Sequence, residues 1–513
     1  MTDNHAVLQC KTHYHNPSAP NNSEDSSFLF SSPSPNPCFS KEMLTFSTSS
    51  SLHSQPLHHL SPMEQERVGA AMIFLILAFL SEVSASMSQQ QQQQCGGASS
   101  AGVRAGYWQP SGSHYSPLGS IDTSLYSHLY YSSLSIDETR CSVALPSSGE
   151  ESSILSNFSS SIKSSGGGFV VKTILSIGTD EFREDVSNAA FSRMASEKNL
   201  RRAFINSSIE LARANGFDGL DLAWRFPATQ LDMENLGALL TEWRAEIMED
   251  STNRSSEPLL LTATVYFSNH LFDMADTNLN YPIDDMSSSL DWVNIITFGM
   301  HKNSNVTTAD APLYDKDSHF SASYGVVSWL DAGLPPCKLV MGIPLFGRSW
   351  FLRNKDKNGL GAPTAAAGTK QRKSNQIGII AYAEIEEYLK SQSVFVTHDD
   401  QSVADYFYSG DLWVSFDSAV VVQEKVEFVA KSQLLGYFLS TISFDDSNYT
   451  LSKQASQSWN QYHVSSYAQG SFGIMQEGAI IQDLHASTGS PSSWYSKTLS
   501  YLLLSIILVL EVL

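Results

Sequence analysis

The stretch that decides the fold of this chain is Asn215-Gly216-Phe217-Asp218-Gly219-Leu220-Asp221-Leu222-Ala223-Trp224-Arg225-Phe226-Pro227. The helical pattern before this stretch is predicted to end at Gly216, and the short strand that follows is predicted to end before Pro227. Because successive side chains of a strand point to opposite faces, one face carries Leu220, Leu222 and Trp224. The other face carries Asp221, Ala223 and Arg225. This pattern predicts a strand of a parallel barrel, with the large apolar side chains against surrounding helices. A charge inside a barrel is costly unless it is paired, so Asp221 and Arg225 indicate a functional position.

Further short apolar runs occur along the chain, separated mainly by segments with helical periodicity. The predicted strands are Val103–Trp108, Ser127–Ser133, Val170–Ile177, Gly219–Trp224, Leu259–Phe267, Trp292–Phe298, Lys338–Ile343 and Leu435–Leu439. Alternation of strands and helices in this number predicts an α/β fold, specifically a (β/α)8 or TIM barrel.

Composition limits the classes of partner. The formal net charge is −21, from 52 acidic and 31 basic residues, which argues against a nucleic acid and suits a neutral ligand such as a sugar. The five cysteines show no spacing typical of a metal site, so we expect neither a metal nor a cofactor.

The two ends of the chain have compositions unlike the middle. Residues 1–62 have a disordered composition, and we interpret them as an untranslated extension that precedes a start at Met63. Residues 63–85 resemble a signal peptide, and 86–100 form a flexible leader. Residues 461–498 are a polar linker, and the apolar tail 499–513 is either an anchor signal or a membrane span. We therefore expect a protein of the secretory pathway, extracellular or on the plasma-membrane surface, with possible membrane attachment through its C-terminus.

If the protein is secreted, the chain after the signal has five sequons at which it can be N-glycosylated: Asn157, Asn206, Asn253, Asn305 and Asn448. After removal of the signal the cysteines left are Cys95, Cys141 and Cys337. One of the three is then free or paired between chains, and the sequence leaves the pairing open.

The deciding stretch resembles the signature of glycoside hydrolase family 18, Asp-Gly-x-Asp-x-Asp-Trp-Glu, which plant class V chitinases continue with Tyr-Pro. The matching residues are Asp218, Gly219, Asp221, Trp224 and Pro227. The resemblance covers residues 101–460 and extends to the chitinase-like ectodomain of plant receptor-like proteins. It implies a TIM barrel with a small α+β insertion between strands seven and eight, at about 346–416, and a ligand of the chitin type.

Two departures from the signature concern the chemistry. The family's Glu protonates the leaving oxygen and its third Asp positions the substrate's acetamido group, whose oxygen is the nucleophile. Ala223 stands at the Asp position and has no polar side-chain atom. Arg225 stands at the Glu position and stays protonated at physiological pH, so it cannot act as the acid.

Two further strands have changed as well. Phe298-Gly299 replaces the family's Tyr-Asp on the sixth strand, and Ser440 replaces the Trp of the eighth. The resemblance therefore implies a degenerate motif with no catalytic residue, and hence a pseudoenzyme. A displaced acid, for which Asp180 is the nearest candidate, would instead make the protein a weak chitinase.

Some side chains remain suited to a sugar groove, since aromatic rings cover the apolar faces of sugars. The candidates are Tyr107, Asp221, Arg225, Tyr266, Phe298, Trp350 and Trp413. Core packing is the alternative for each ring, and we expect Trp224 to pack against helices and Asp218 to serve a turn. The expected function is binding of chito-oligosaccharide or another N-acetylglucosamine-containing glycan, and a protein-interaction scaffold is the second alternative.

Overall fold

The computed structural model describes residues 102–165, 170–179, 188–272, 279–301, 304–392 and 394–468, with only the backbone at 392 and 463–468. The predicted extension, signal and leader (1–100), the tail (499–513), most of the predicted linker, and Asp180 lie outside these residues. No helix among the described residues is both long and apolar enough to cross a membrane.

The described strands are numbered in chain order. They are β1 (Val103–Trp108), β2 (His128–Leu134), β3 (Ile136–Asp137), β4 (Ser142–Val143), β5 (Lys172–Gly178), β6 (Gly219–Ala223), β7 (Leu260–Val265), β8 (Trp292–Ile295), β9 (Leu339–Pro344), β10 (Phe346–Leu352), β11 (Thr364–Ala367), β12 (Ile379–Ala381), β13 (Thr397–Asp399), β14 (Ala404–Ser409), β15 (Leu412–Phe416) and β16 (Gly436–Ser440).

The described α-helices are numbered in the same way. They are α1 (Gly149–Ser165), α2 (Asn188–Ser196), α3 (Lys198–Ala214), α4 (Gln230–Arg254), α5 (Ile283–Ser289), α6 (Ala322–Asp331), α7 (Tyr382–Gln392), α8 (Ala419–Lys431) and α9 (Thr450–Ala468).

Eight parallel strands close into a barrel in the order β1-β16-β9-β8-β7-β6-β5-β2. The predicted TIM barrel is confirmed, and each predicted strand overlaps an observed one. The largest differences are at carboxyl ends: β7 stops at Val265 and β8 at Ile295, before the apolar runs end. The apolar runs extend beyond the two strands because Phe267 and Phe298, in the turns that follow them, are also buried.

Helix ends follow the sequence signals expected of them. Helix α4 begins with a capping box in which the Thr229 side chain accepts from Asp232 N and the Asp232 carboxylate accepts from Thr229 N. Helices α6 and α8 begin with Ser321 and Ser418, whose hydroxyls accept from backbone N–H groups of the first turn. The shell of helices is therefore set by local capping as well as by burial of its apolar faces.

The insertion lies between β9 and β16, the seventh and eighth barrel strands. Its antiparallel sheet has the order β11-β10-β15-β14-β13, β12 pairs with β10, and α7 packs beside it. The predicted α+β insertion is thus present at the predicted place.

Two cysteines fall within the described residues. Cys141 is a buried free thiol, and Cys337 is disulfide-bonded. All five sequon asparagines are exposed, on helices α1, α3 and α4 and on two loops.

Candidate functional site

Strand β6 places the signature residues as their alternation predicts. Trp224 is buried on the helix side, where it stacks on Phe191 of α2 with ring centroids 5.8 Å apart and donates from Nε1 to Asn188. Asp221 lies on the opposite side of the strand, inside the barrel, with no exposed surface. Asp218 lies just before the amino end of β6, where its carboxylate accepts from Thr173 N at 2.8 Å and pairs with Lys163 at 2.9 Å.

Hydroxyl groups of the two neighbouring strands surround the Asp221 carboxylate. Ser176 of β5 donates to Oδ2 at 2.7 Å, Thr262 of β7 donates to Oδ1 at 2.7 Å, and Thr264 lies 3.0 Å from Oδ2. Burial raises the pKa of Asp221, while these hydroxyls and the charge of Arg225 act to lower it. The carboxylate is therefore satisfied by neutral donors rather than held in an ion pair at contact distance.

Tyr107 closes this polar network from the side of β1. Its hydroxyl lies 2.6 Å from Thr264 Oγ1 and accepts from Asn294 Nδ2 at 2.9 Å, and its ring stacks on Tyr130 at 4.3 Å. Burial and the nearby Asp221 carboxylate hold the pKa of Tyr107 well above its usual value. Tyr107 is thus part of the packed barrel interior.

Arg225 follows β6 and is half-buried at the mouth of the barrel. Its guanidinium is close enough to influence the pKa of both Asp221 and Tyr107. Ala223, which precedes it on the inner face, is buried, and its carbonyl accepts from Thr179 N at 3.0 Å. The position that the resemblance assigns to a general acid therefore holds a cation that cannot donate its proton at neutral pH.

The other two substituted strands end in packed residues. The Phe298 ring is buried and meets the rings of Phe346 and Phe438 edge to face, at 5.7 and 6.0 Å. Ser440 is 7% exposed, and the hydroxyl of Thr441 beside it donates to the Tyr107 carbonyl at 2.8 Å. Phe298 and Ser440 are therefore both buried at the ends of their strands.

Trp350 and Trp413 lie apart from the barrel mouth, in the sheet of the insertion. They pair across β10 and β15, their rings are 5.6 Å apart, and they are 2% and 0% exposed. Trp413 also donates to the Asn358 carbonyl at 3.0 Å and stacks on Tyr406. Both rings are closed to solvent, so neither offers a sugar the open platform proposed for it from sequence.

Tyr266, the remaining candidate, is half-buried after β7. Its ring contacts Phe226 and Phe267 with centroids 5.1 and 4.6 Å away. The sequence candidates therefore separate into an interior group (Tyr107, Asp221, Phe298), two residues at the mouth (Arg225, Tyr266) and the two tryptophans of the insertion.

An open cleft of about 670 Å³ lies beside the barrel mouth, and it includes none of these residues. Its walls come from the ends of β1 and β2, the loop before α1 and the insertion loop 372–376. Its uncharged polar lining includes Gln109, Ser132, Ser133, Ser135, Ser374, Asn375 and Gln376, and its aromatic lining includes Tyr115 and Tyr131. Sequence reasoning missed it because its residues come from five distant segments without a shared pattern, the fifth being Phe444, although Tyr131 lies on a predicted strand.

Metal-ligating side chains are not grouped in the described ranges: no three His, Cys, Asp or Glu residues there could hold a metal ion together.

Comparison with known proteins agrees with this geometry. Nod factor hydrolase protein 1 from Medicago truncatula is 35% identical over 348 residues, which is 67% of this chain and 86% of that protein. A class V chitinase mutant from Nicotiana tobaccum in complex with NAG4 superposes with a TM-score of 0.64 at 35% identity, over 70% of this chain and 99% of that one. The chitinase-like agglutinin RobpsCRA from Robinia pseudoacacia gives a TM-score of 0.61 at 31% identity, over 69% and 99%.

The family model described as glycosyl hydrolases family 18 matches residues 103–445, which is more than half of the sequence and the whole described barrel apart from its last helix. The chain therefore belongs to glycosyl hydrolases family 18.

Proposed function

We propose that this protein is a secreted or cell-surface member of the family that binds chitin-type or other N-acetylglucosamine-containing glycans without hydrolysing them. The observation that carries the proposal is the barrel mouth, where Arg225 and Ala223 occupy the two positions that hydrolysis requires. A positioned general acid contributes about 10²–10⁴-fold to a rate, and a guanidinium adds repulsion to the positive charge that develops on the sugar.

Burial of Asp221 supports the same conclusion. Its carboxylate accepts from Ser176, Thr262 and Thr264 and has no exposed surface, so it is not available to a substrate. It holds three strands of the barrel together and serves the fold.

The cleft supports retained binding. Its volume falls in the range of small-ligand sites, about 300–1,000 Å³, and it combines hydroxyl and amide groups with the exposed ring of Tyr115. Such groups match the alternating hydroxyl and apolar surfaces of a sugar. Among similar proteins, one structure is described as a complex with NAG4 and another as an agglutinin, so binding to sugars occurs on this fold.

The proposed cellular location rests on the signal-like segment 63–85, the apolar tail 499–513 and five exposed sequon asparagines. Deglycosylation of the protein recovered from a secreting plant cell, followed by mass spectrometry, tests it. An unmodified chain with residues 63–85 still attached would contradict secretion.

Calorimetric titration with N-acetylchitotetraose tests binding. We expect heat of binding for the unaltered protein, and about tenfold weaker binding for Tyr115→Ala, which removes a cleft ring. Tyr408→Ala is the matched control, because Tyr408 is 42% exposed against 44% for Tyr115 and does not line the cleft. Absence of heat with oligosaccharides of any length, on folded protein, overturns the binding proposal and favours an interaction scaffold.

A chromogenic chito-oligosaccharide tests the absence of hydrolysis. We expect release of chromophore at the rate of buffer alone. Release above that rate that disappears in Asp180→Ala establishes a weak chitinase with a displaced acid and overturns this half of the proposal.

A further inference from the structure

The charged side chains that line the cleft are mainly basic, although the whole chain carries a net charge of −21. Arg372 and Lys373 line it, against one carboxylate, Glu151. Glu384 and Glu387 of α7 contact the same loop, at Lys373 N and at the Arg372 guanidinium. Attraction of an anion to the cleft therefore depends on direct contact with one of these cations rather than on the charge of the cleft as a whole.

Lys373 is the central feature of this lining. Its side chain is half-buried, and its Nζ lies 5.4 Å from the centre of the Tyr115 ring. Among the described residues no carboxylate is at ion-pair distance from Nζ. The pKa of Lys373 is lowered, mainly by burial and further by Arg372, while Glu384, Glu387 and Asp445 act to raise it. A partly desolvated ammonium that faces a cleft and rests on an aromatic ring gains most from an anion supplied by a ligand.

The backbone around Lys373 is fixed before any ligand arrives. Lys373 N donates to Glu384 Oε1 of α7 at 2.8 Å, and the Tyr115 hydroxyl donates to the Arg372 carbonyl at 3.2 Å. The first bond fixes the loop within the insertion, and the second joins the loop after β1 to the insertion across the cleft. The cation is thus held on a preformed wall, which reduces the entropy that binding must overcome.

Arg372 can add a second contact. Its guanidinium pairs with Glu387 at 3.2 Å, and the two side chains are 63% and 66% exposed. Exposed pairs of this kind contribute little to stability, so a ligand anion can replace Glu387 at little cost.

We propose that the cleft selects an anionic glycan, in which a sulfate ester or a carboxylate on the sugar chain binds Lys373 with help from Arg372. This proposal rests on the proposed glycan binding and specifies the chemical class of its ligand. Sulfate and carboxylate share the chemistry that Lys373 recognises, and separate experimental arms distinguish them.

The test is calorimetric titration of the full protein with three probes: N-acetylchitotetraose, the same tetrasaccharide with one O-sulfate, and the same tetrasaccharide with one C6 oxidised to a carboxylate. We expect at least one anionic probe to bind about tenfold more tightly than the neutral one, as a charge-assisted hydrogen bond provides. This preference falls in about 0.5 M salt, because salt screens partly exposed charges.

Lys373→Gln is expected to abolish the preference, so that the three probes bind this variant with nearly the same affinity as one another. Lys370→Gln is the matched control, since Lys370 is exposed three positions away and does not line the cleft, and it is expected to keep the preference. Equal binding of all three probes overturns the anionic preference while glycan binding stands. A preference that survives in Lys373→Gln also overturns it, whereas failure of every probe to bind removes the proposed function as well.

Discussion

Asp310 Oδ1 accepts a 2.5 Å hydrogen bond from Arg348 Nε, and this buried ion pair joins the loop after β8 to the first strand of the insertion. The second oxygen, Oδ2, accepts from the backbone N–H of Gly299 at 3.2 Å. Gly299 stands where the family resemblance implies an Asp, so a loop carboxylate now lies at the end of that strand. The strand has lost its own carboxylate, and the charge that holds Arg348 comes from elsewhere in the chain.

The first prediction concerns the stability of this pair. Asp310 and Arg348 are 4% and 7% exposed, and removal of one partner of a buried pair costs about 3–5 kcal/mol. We expect Asp310→Ala to lower the free energy of unfolding in urea by that amount. Lys390→Ala, which breaks the exposed pair with Glu386 in α7, is the control and is expected to cost less than about 1 kcal/mol. Equal costs for the two variants would contradict a role for Asp310 in holding the insertion.

The second prediction concerns the contact between β5 and β6. Gly178 has a φ of +150°, and a Cβ there would lie 2.1 Å from the carbonyl oxygen of Ala223. Neither backbone segment can move without disturbing the barrel, so we expect Gly178→Ala to cost about 3 kcal/mol or more in urea unfolding. Gly359→Ala is the matched control, because a Cβ at Gly359 meets no atom within 4 Å. A loss of less than about 1 kcal/mol in Gly178→Ala would show that the strands can separate locally.

The barrel could be predicted from sequence because its strands carry local signals. Each is a short apolar run bounded by turns, and alternation along Gly219–Trp224 correctly assigns Asp221 to the interior and Trp224 to the helix side. The insertion followed from the family resemblance together with the long segment between strands seven and eight.

The site could be predicted only in part, because its contacts depend on register between distant segments. The partners of Asp221 on β5 and β7 become known only when both strands are aligned with β6. Burial of Trp350 against Trp413 likewise requires the pairing of β10 with β15. Asp310 carries no periodic signal at all, since it lies in a loop and acts through a residue 38 positions away.

The third prediction concerns pH. His398 Nδ1 lies 2.7 Å from Asp405 Oδ1. Burial alone would lower the pKa of His398, but Asp405, Glu424 and Asp400 raise it above 6.5. A histidine with a raised folded-state pKa contributes stability that is fully present below its unfolded pKa and is lost as the pH rises through the folded value. We therefore expect His398→Gln to destabilise the protein more at about pH 5.5 than at about pH 8.5, measured by urea unfolding.

The control for this pH effect removes the carboxylate instead. In an Asp405→Asn background the main cause of the raised pKa is absent, so the cost of His398→Gln is expected to depend much less on pH. A cost that is the same at both pH values in the unaltered background would show that the ion pair contributes no stability.

The fourth prediction concerns Arg225 and the loss of hydrolysis. Arg225→Glu restores the acid of the signature, yet Ala223 still cannot position an acetamido group and Ser440 still provides no ring beneath the sugar. We therefore expect no release of chromophore from a chito-oligosaccharide above the rate of the unaltered protein.

The same substitution also tests the charge around Asp221. The charge of Arg225 lowers the pKa of Asp221, so a carboxylate in its place raises that pKa further. Since ionisation of Asp221 is then less favourable in the folded state, Arg225→Glu is expected to lose more stability at about pH 7 than at about pH 5. Arg225→Gln, which removes the cation without adding an anion, is the matched control and is expected to show a smaller pH-dependent loss. Hydrolysis by Arg225→Glu would contradict the view that the site has changed on three strands together, and would leave Arg225 as the single barrier to catalysis.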